Sequence, residues 1–128
     1  MVKMIDLPPD EWAREWLPTL LTDSVPADVR GELTRVLSGF HPEGQRILLN
    51  SGFAEHDLRD ILPRIAVPTL LVYGENDVRS PLNVAQAMHA SIPGSRLVII
   101  PEVGHMVDMQ APGQLNVEIR RFLQSIDS

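Results

Sequence analysis

Residues 68–77 read Pro68-Thr69-Leu70-Leu71-Val72-Tyr73-Gly74-Glu75-Asn76-Asp77. Thr69 to Tyr73 is a continuous run of β-compatible, mostly apolar side chains, and Gly74 stops it, so it predicts a buried strand. Arg96-Leu97-Val98-Ile99-Ile100, stopped by Pro101, predicts another. Between them Ser80 is expected to cap a helix opening at Pro81, with Leu82, Ala85 and Met88 on its inner face and Gly94 behind it. Strand, helix, strand is a βαβ unit, whose strands run parallel with a right-handed crossover. Beyond it, Pro112 opens an amphipathic helix with Leu115, Ile119, Phe122 and Ile126 spaced to lie on a sheet.

Toward the N-terminus the texture changes to helices. Trp12, Trp16 and Leu20 share one face, Asp10 and Glu11 sit in the first turn, and Pro18 is expected to cut the helix short. Ser24 is expected to cap a second helix with Pro26 in its first turn, an apolar stripe of Val29, Leu33, Val36 and Leu37, and Gly39 at its end. Pro42 and Arg46-Ile47-Leu48-Leu49 suggest a third helix ending near Gly52. Asp57, Leu58, Ile61 and Leu62 suggest a fourth before Pro63. The order is helices, then β-α-β-α. Two parallel strands, apolar on both faces, do not cover themselves with these elements, so further strands or a covering partner are implied.

Composition limits the function. The chain has 128 residues, 44% hydrophobic and 22% charged, the make-up of one folded domain. Seventeen acidic against eleven basic residues give a formal charge of −6, with the basic residues scattered, which argues against nucleic acid as a partner. There is no cysteine, hence no disulfide, thiol nucleophile or thiolate metal site. No apolar run reaches the ~20 residues of a membrane span, and the first residues lack a signal-peptide core, so a cytoplasmic protein is expected.

Functional groups in open α/β sheets gather at the carboxyl ends of parallel strands. One such end carries Asp77, the other Gly104-His105. If the strands are neighbours, the carboxylate and the imidazole meet above the sheet, the arrangement a general base needs to hold its tautomer. Read singly, Asp77 is an ordinary turn residue and His105 a structural loop histidine. Asp108 is an alternative partner for His105. Arg79 is read as forming a surface salt bridge or, alternatively, pairing with an acidic substrate. Trp12 and Trp16 are read as packing, with an acyl-pocket lining as the alternative. His41, His56 and His89 are read as solvated or capping, and no metal-ligand spacing is present, so neither metal nor cofactor is expected.

The run from Ile65 to Asp77, then Ile92-Pro-Gly-Ser-Arg-Leu-Val-Ile-Ile-Pro101, Val103-Gly-His105, Ala111-Pro-Gly-Gln-Leu-Asn116 and Phe122-Leu123 resembles the C-terminal region of α/β-hydrolases of the esterase, lactonase and bromoperoxidase-like type. The resemblance implies a partial α/β-hydrolase fold. Residues 1–65 would be a helical cap-like segment and residues 66–128 the C-terminal β-α-β-α part of the core. It also implies Asp77 as triad acid and His105 as triad base, acting on an ester or lactone. The family's nucleophile elbow, Gly-x-Ser-x-Gly, is absent: none of the eight serines from Ser24 to Ser128 has the flanking glycines. The expectations are therefore a truncated hydrolase, inactive alone, that partners a complementary N-terminal hydrolase chain, or a non-catalytic homodimer that pairs with a second copy of itself.

Overall fold

The computed structural model describes residues 7–44, 46–47 and 57–126. Its elements are α1 (Pro9–Leu20), α2 (Ala27–Ser38), a 3-10 turn (Leu62–Arg64), β1 (Leu70–Gly74), α3 (Leu82–Ser91), β2 (Arg96–Ile100), α4 (Val107–Gln110) and α5 (Pro112–Ile126). Residues 42–44 and 46–47 are helical, and the rest of the predicted third helix lies outside the described residues. Where a fourth α-helix was expected, there is only the 3-10 turn, with Pro63 inside it. Proline has no N–H to donate, and a single tight turn tolerates it where a longer helix would not.

α1 and α2, consecutive in the chain, pack on each other as a helical hairpin around one apolar cluster. Trp12, Ala13, Leu20, Leu21, Val25, Leu33 and Leu37 are buried there, and Trp16, Val29 and Phe40 pack against them. The predicted Trp12, Trp16, Leu20 face is therefore the buried one. Pro18 sits inside α1 and the helix runs two residues further, its last turn closed by the Leu21 N–H on the Leu17 carbonyl at 3.1 Å. Val36 stands apart from the predicted stripe and is 42% exposed, because Leu33 and Leu37, one turn apart, already fill the inner face.

Neither predicted serine cap forms. α2 has Pro26 at its N-cap and α3 has Pro81, both extended at ψ 145° and 158°, with no side-chain bond to the helix amides. Proline's fixed φ sets the entry to each helix instead. Ser24 is thereby left outside α2, where its hydroxyl meets that of Thr22 at 2.9 Å.

β1 and β2 pair in parallel in one two-stranded sheet, in register from Leu70 with Arg96 to Gly74 with Ile100. α3 crosses between them and packs on both strands with Ala85 completely buried at the contact. A methyl there lets helix and sheet approach closely, and the Tyr73 hydroxyl reaches Met88 Sδ at 3.2 Å. A second cluster of Ile100, Val103 and Val107 is joined by Val72, Val98, Ala111 and Leu115. The strands were predicted to be buried on both faces, yet only their last residues are, the others being half-covered except Arg96, which is exposed. A sheet of two strands has too little helix around it to do more. α5 accordingly leaves Val117, Ile119, Leu123 and Ile126 between 38% and 50% exposed. Its Glu118 joins Arg96 of β2 at 3.0 Å and Arg121 at 2.7 Å.

Gly74 belongs to β1 and does more than end it. A Cβ built on it would lie 2.2 Å from the Gly104 carbonyl oxygen and 2.3 Å from that of Val103, both backbone atoms unable to swing away. Gly74→Ala is expected to lower the unfolding free energy by about 3 kcal/mol, read as a lower urea midpoint at unchanged m-value. Gly31→Ala, with nothing within 4 Å, is the control expected to leave the midpoint unchanged or raised.

Candidate active site

Because the strands are parallel and in register, their carboxyl ends stop at the same level. The chain leaving β1 and the chain leaving β2 then bond to each other: the Glu75 N–H donates to the Ile100 carbonyl at 2.9 Å and the Asn76 N–H to the Val103 carbonyl at 2.8 Å. This sets the distance between the two loops before any side chain is considered.

Asp77 closes the first loop. One of its oxygens, Oδ1, accepts the backbone N–H groups of Arg79 at 2.8 Å and Ser80 at 2.9 Å, a turn made by the aspartate's own side chain. The other, Oδ2, lies 2.9 Å from His105 Nδ1, from a residue 28 positions further along the chain. The two predicted site residues are therefore together, and Asp108 does not hold this position. The carboxylate is nearly buried, with 4% of its side chain exposed, while the imidazole is 38% exposed. A sheltered carboxylate thus stands beside a ring open to solvent.

Burial is the largest influence on the Asp77 carboxyl and works against its ionisation. The hydrogen bond from His105 and the two amide N–H groups outweigh it, so the group titrates below the ordinary carboxylate value. Arg79 is shifted down mainly by loss of solvent, which Asp77 partly offsets. Among the described residues Arg79 does not make the surface salt bridge predicted for it. Its guanidinium lies 3.7 Å over the Trp16 ring and donates to Thr19 Oγ1 at 3.2 Å. The acid loop is thus tied to α1 by a cation–π contact.

The base loop is tied to the same helix hairpin. The Met106 N–H donates to the Leu20 carbonyl at 3.1 Å, and Met106 and Met109 pack into the Trp12 cluster. The Gln110 side chain accepts the Gly104 N–H at 3.0 Å and donates to Thr22 Oγ1 at 2.6 Å. Nothing in the sequence singled out Gln110 or Thr22, since each matters only once the α1–α2 connection lies against the base loop. Glu102, in this loop, has φ 61°, the left-handed region. It is held there by its N–H on Glu75 Oε2 at 3.1 Å and by the Thr22 hydroxyl on its carbonyl at 3.3 Å.

An open cleft of about 460 Å³ lies between residues 24–26, 101–103 and 110–114, and neither Asp77 nor His105 lines it. Among the described residues no three His, Asp or Glu side chains converge as a metal cage would require. No described helix is long and apolar enough to cross a membrane.

A parallel βαβ unit thus brings a carboxylate and an imidazole together at its adjacent strand ends. The chain belongs to the α/β-hydrolase fold family, whose model matches residues 7–112. It is 30% identical to the strigolactone esterase D14 of Arabidopsis thaliana over 89% of this chain and 42% of that protein. It is also 30% identical to a putative carbamate hydrolase, RutD, of Cronobacter turicensis, over 84% of this chain and 37% of that one. Among solved structures, a thermophilic esterase from Thermogutta terrifontis superposes with a TM-score of 0.88 at 29% identity, over 94% of this chain and 45% of the esterase. The chain spans less than half the length of each.

Asp77→Asn is expected to destabilise the protein by about 1–3 kcal/mol at neutral pH, since it removes the charge from a buried, three-bonded acceptor. The folded-state carboxyl titrates below its ordinary 3.8, so this stabilisation is complete above 3.8 and is lost as the pH falls through the folded-state value. Denaturation of both proteins across acid pH therefore shows the gap between them closing as the pH drops below 3.8.

Proposed function

We propose that this chain supplies the acid and base of a Ser-His-Asp hydrolase acting on a carboxylic ester or lactone, with the serine contributed from outside residues 1–128. The observation that carries the reading is the 2.9 Å contact between Asp77 Oδ2 and His105 Nδ1 at adjacent parallel strand ends. With Nδ1–H donated to the carboxylate, Nε2 is the free acceptor on an imidazole open to solvent. It takes the proton of the serine hydroxyl as Oγ attacks the acyl carbon, then gives it to the departing alkoxide. A water molecule deprotonated by the same nitrogen then attacks the acyl carbon, the bond to the serine Oγ breaks, and the proton passes from Nε2 to that oxygen as the acid leaves. Asp77 stays ionised throughout and stabilises the imidazolium. The esterase and hydrolase names of its relatives support acyl transfer as the chemistry, and a hydrolase half carrying the nucleophile is the partner this reading requires.

The isolated chain is expected to hydrolyse p-nitrophenyl acetate no faster than buffer, and to gain turnover when mixed with a hydrolase half carrying Gly-x-Ser-x-Gly. In the reconstituted pair His105→Ala removes about 10³-fold or more of kcat. Turnover by the isolated chain that persists in His105→Ala means the assigned base is not used.

The half-covered sheet and the exposed apolar residues of α5 favour a second reading, a non-catalytic module that pairs with another copy of itself. On that reading light scattering at micromolar concentration gives a dimer mass, while a monomer that stays in solution counts against it.

A further inference from the structure

We propose that Gln110 is a positioning residue for His105, its side-chain amide holding the base loop at the distance and angle that keep the imidazole on Asp77. The role rests on the acid–base reading above and adds a residue to it. Gly104 immediately precedes His105, is buried, and has its N–H on Gln110 Oε1 at 3.0 Å. The orientation of the amide is fixed by chemistry: a backbone N–H only donates, so Oε1 must face Gly104 and Nε2 must face Thr22. Thr22 Oγ1 accepts from Nε2 at 2.6 Å and lies in the connection between α1 and α2. A single side chain thus links the residue before the base to the helical hairpin.

Space around Gly104 leaves this link no slack. On one side the Gly104 carbonyl presses on Gly74 at the end of β1. On the other, a Cβ at Gly104 would meet Gln110 Oε1 at 3.0 Å and the Leu20 carbonyl at 3.1 Å. On the far side of His105 the next amide, of Met106, is bonded to that same Leu20 carbonyl at 3.1 Å. His105 is therefore suspended between two anchored amides, one on Gln110 and one on α1. Without the Gln110 acceptor the buried Gly104 N–H has no partner in its present place, and the peptide carrying it turns toward solvent. The imidazole at the next residue swings with it, off the Asp77 carboxylate.

The tautomer of His105 reads this directly. In an unconstrained neutral imidazole the proton favours Nε2, whereas donation to Asp77 holds it on Nδ1. Imidazole ¹⁵N shifts of the full 128-residue chain, measured above the range in which the ring protonates, are expected to show the Nδ1–H form. In Gln110→Leu, similar in size and without polar atoms, the Nε2–H form rises at least several-fold, while far-UV circular dichroism is unchanged. Gln110→Glu retains Nδ1–H, because its carboxylate accepts from Gly104 and from a rotated Thr22 hydroxyl. Thr22→Val, which frees the amide at its other end, gives a partial shift and decides the matter if Gln110→Leu does not fold. A folded Gln110→Leu or Thr22→Val that keeps the wild-type tautomer overturns the positioning role alone. A wild-type ring already in the Nε2–H form overturns the acid–base reading together with it.

Discussion

The parallel ladder between β1 and β2 is the constraint on which the site depends. Parallel strands in register end level with each other, and here Gly74 lies opposite Ile100. The Glu75 and Asn76 amides then carry the hydrogen bonding past the ends of the strands into the loops. An antiparallel arrangement would have sent the two loops to opposite ends of the sheet, and a slip of one residue would have turned one tip to the opposite face from the other. The contact between Asp77 and His105 follows from backbone geometry first and from side-chain chemistry second.

How far the sequence reveals this depends on the range of each signal. The strands were legible because each is an apolar run bounded by Gly74 or Pro101, and the helix between them because Pro81 opens it. The meeting of Asp77 and His105 was legible because strand ends in a βαβ unit are neighbours whatever the loops do. The serine caps were misread because a proline follows each serine within two residues, and its fixed φ moves the start of the helix past Ser24 and Ser80. Arg79 was misread as a salt-bridge former because Trp16, sixty-odd positions earlier, is placed beside it only by the docking of α1. Gln110 and Thr22 carry no local pattern at all. Their bond spans 88 positions and exists only in the assembled protein.

The two apolar clusters share the burden of holding the loops. The helical hairpin buries its own core and also receives Met106 and Met109 from the base loop. The sheet cluster is smaller and leans on Val103 and Val107 from that same loop. The residues around His105 are therefore wedged between two hydrophobic bodies, while exposed apolar side chains stand along α5, at Val67 before β1 and at Val78 beside Asp77.

The stacked indoles of Trp12 and Trp16, with ring centroids 4.7 Å apart, are the only tryptophans in the chain. One of them lies under the guanidinium that follows the acid in sequence. Near-ultraviolet light absorbed by this protein is thus taken up mainly at the seam between the helical hairpin and the acid loop. Its emission carries a local optical report of that seam, against a background of a single tyrosine.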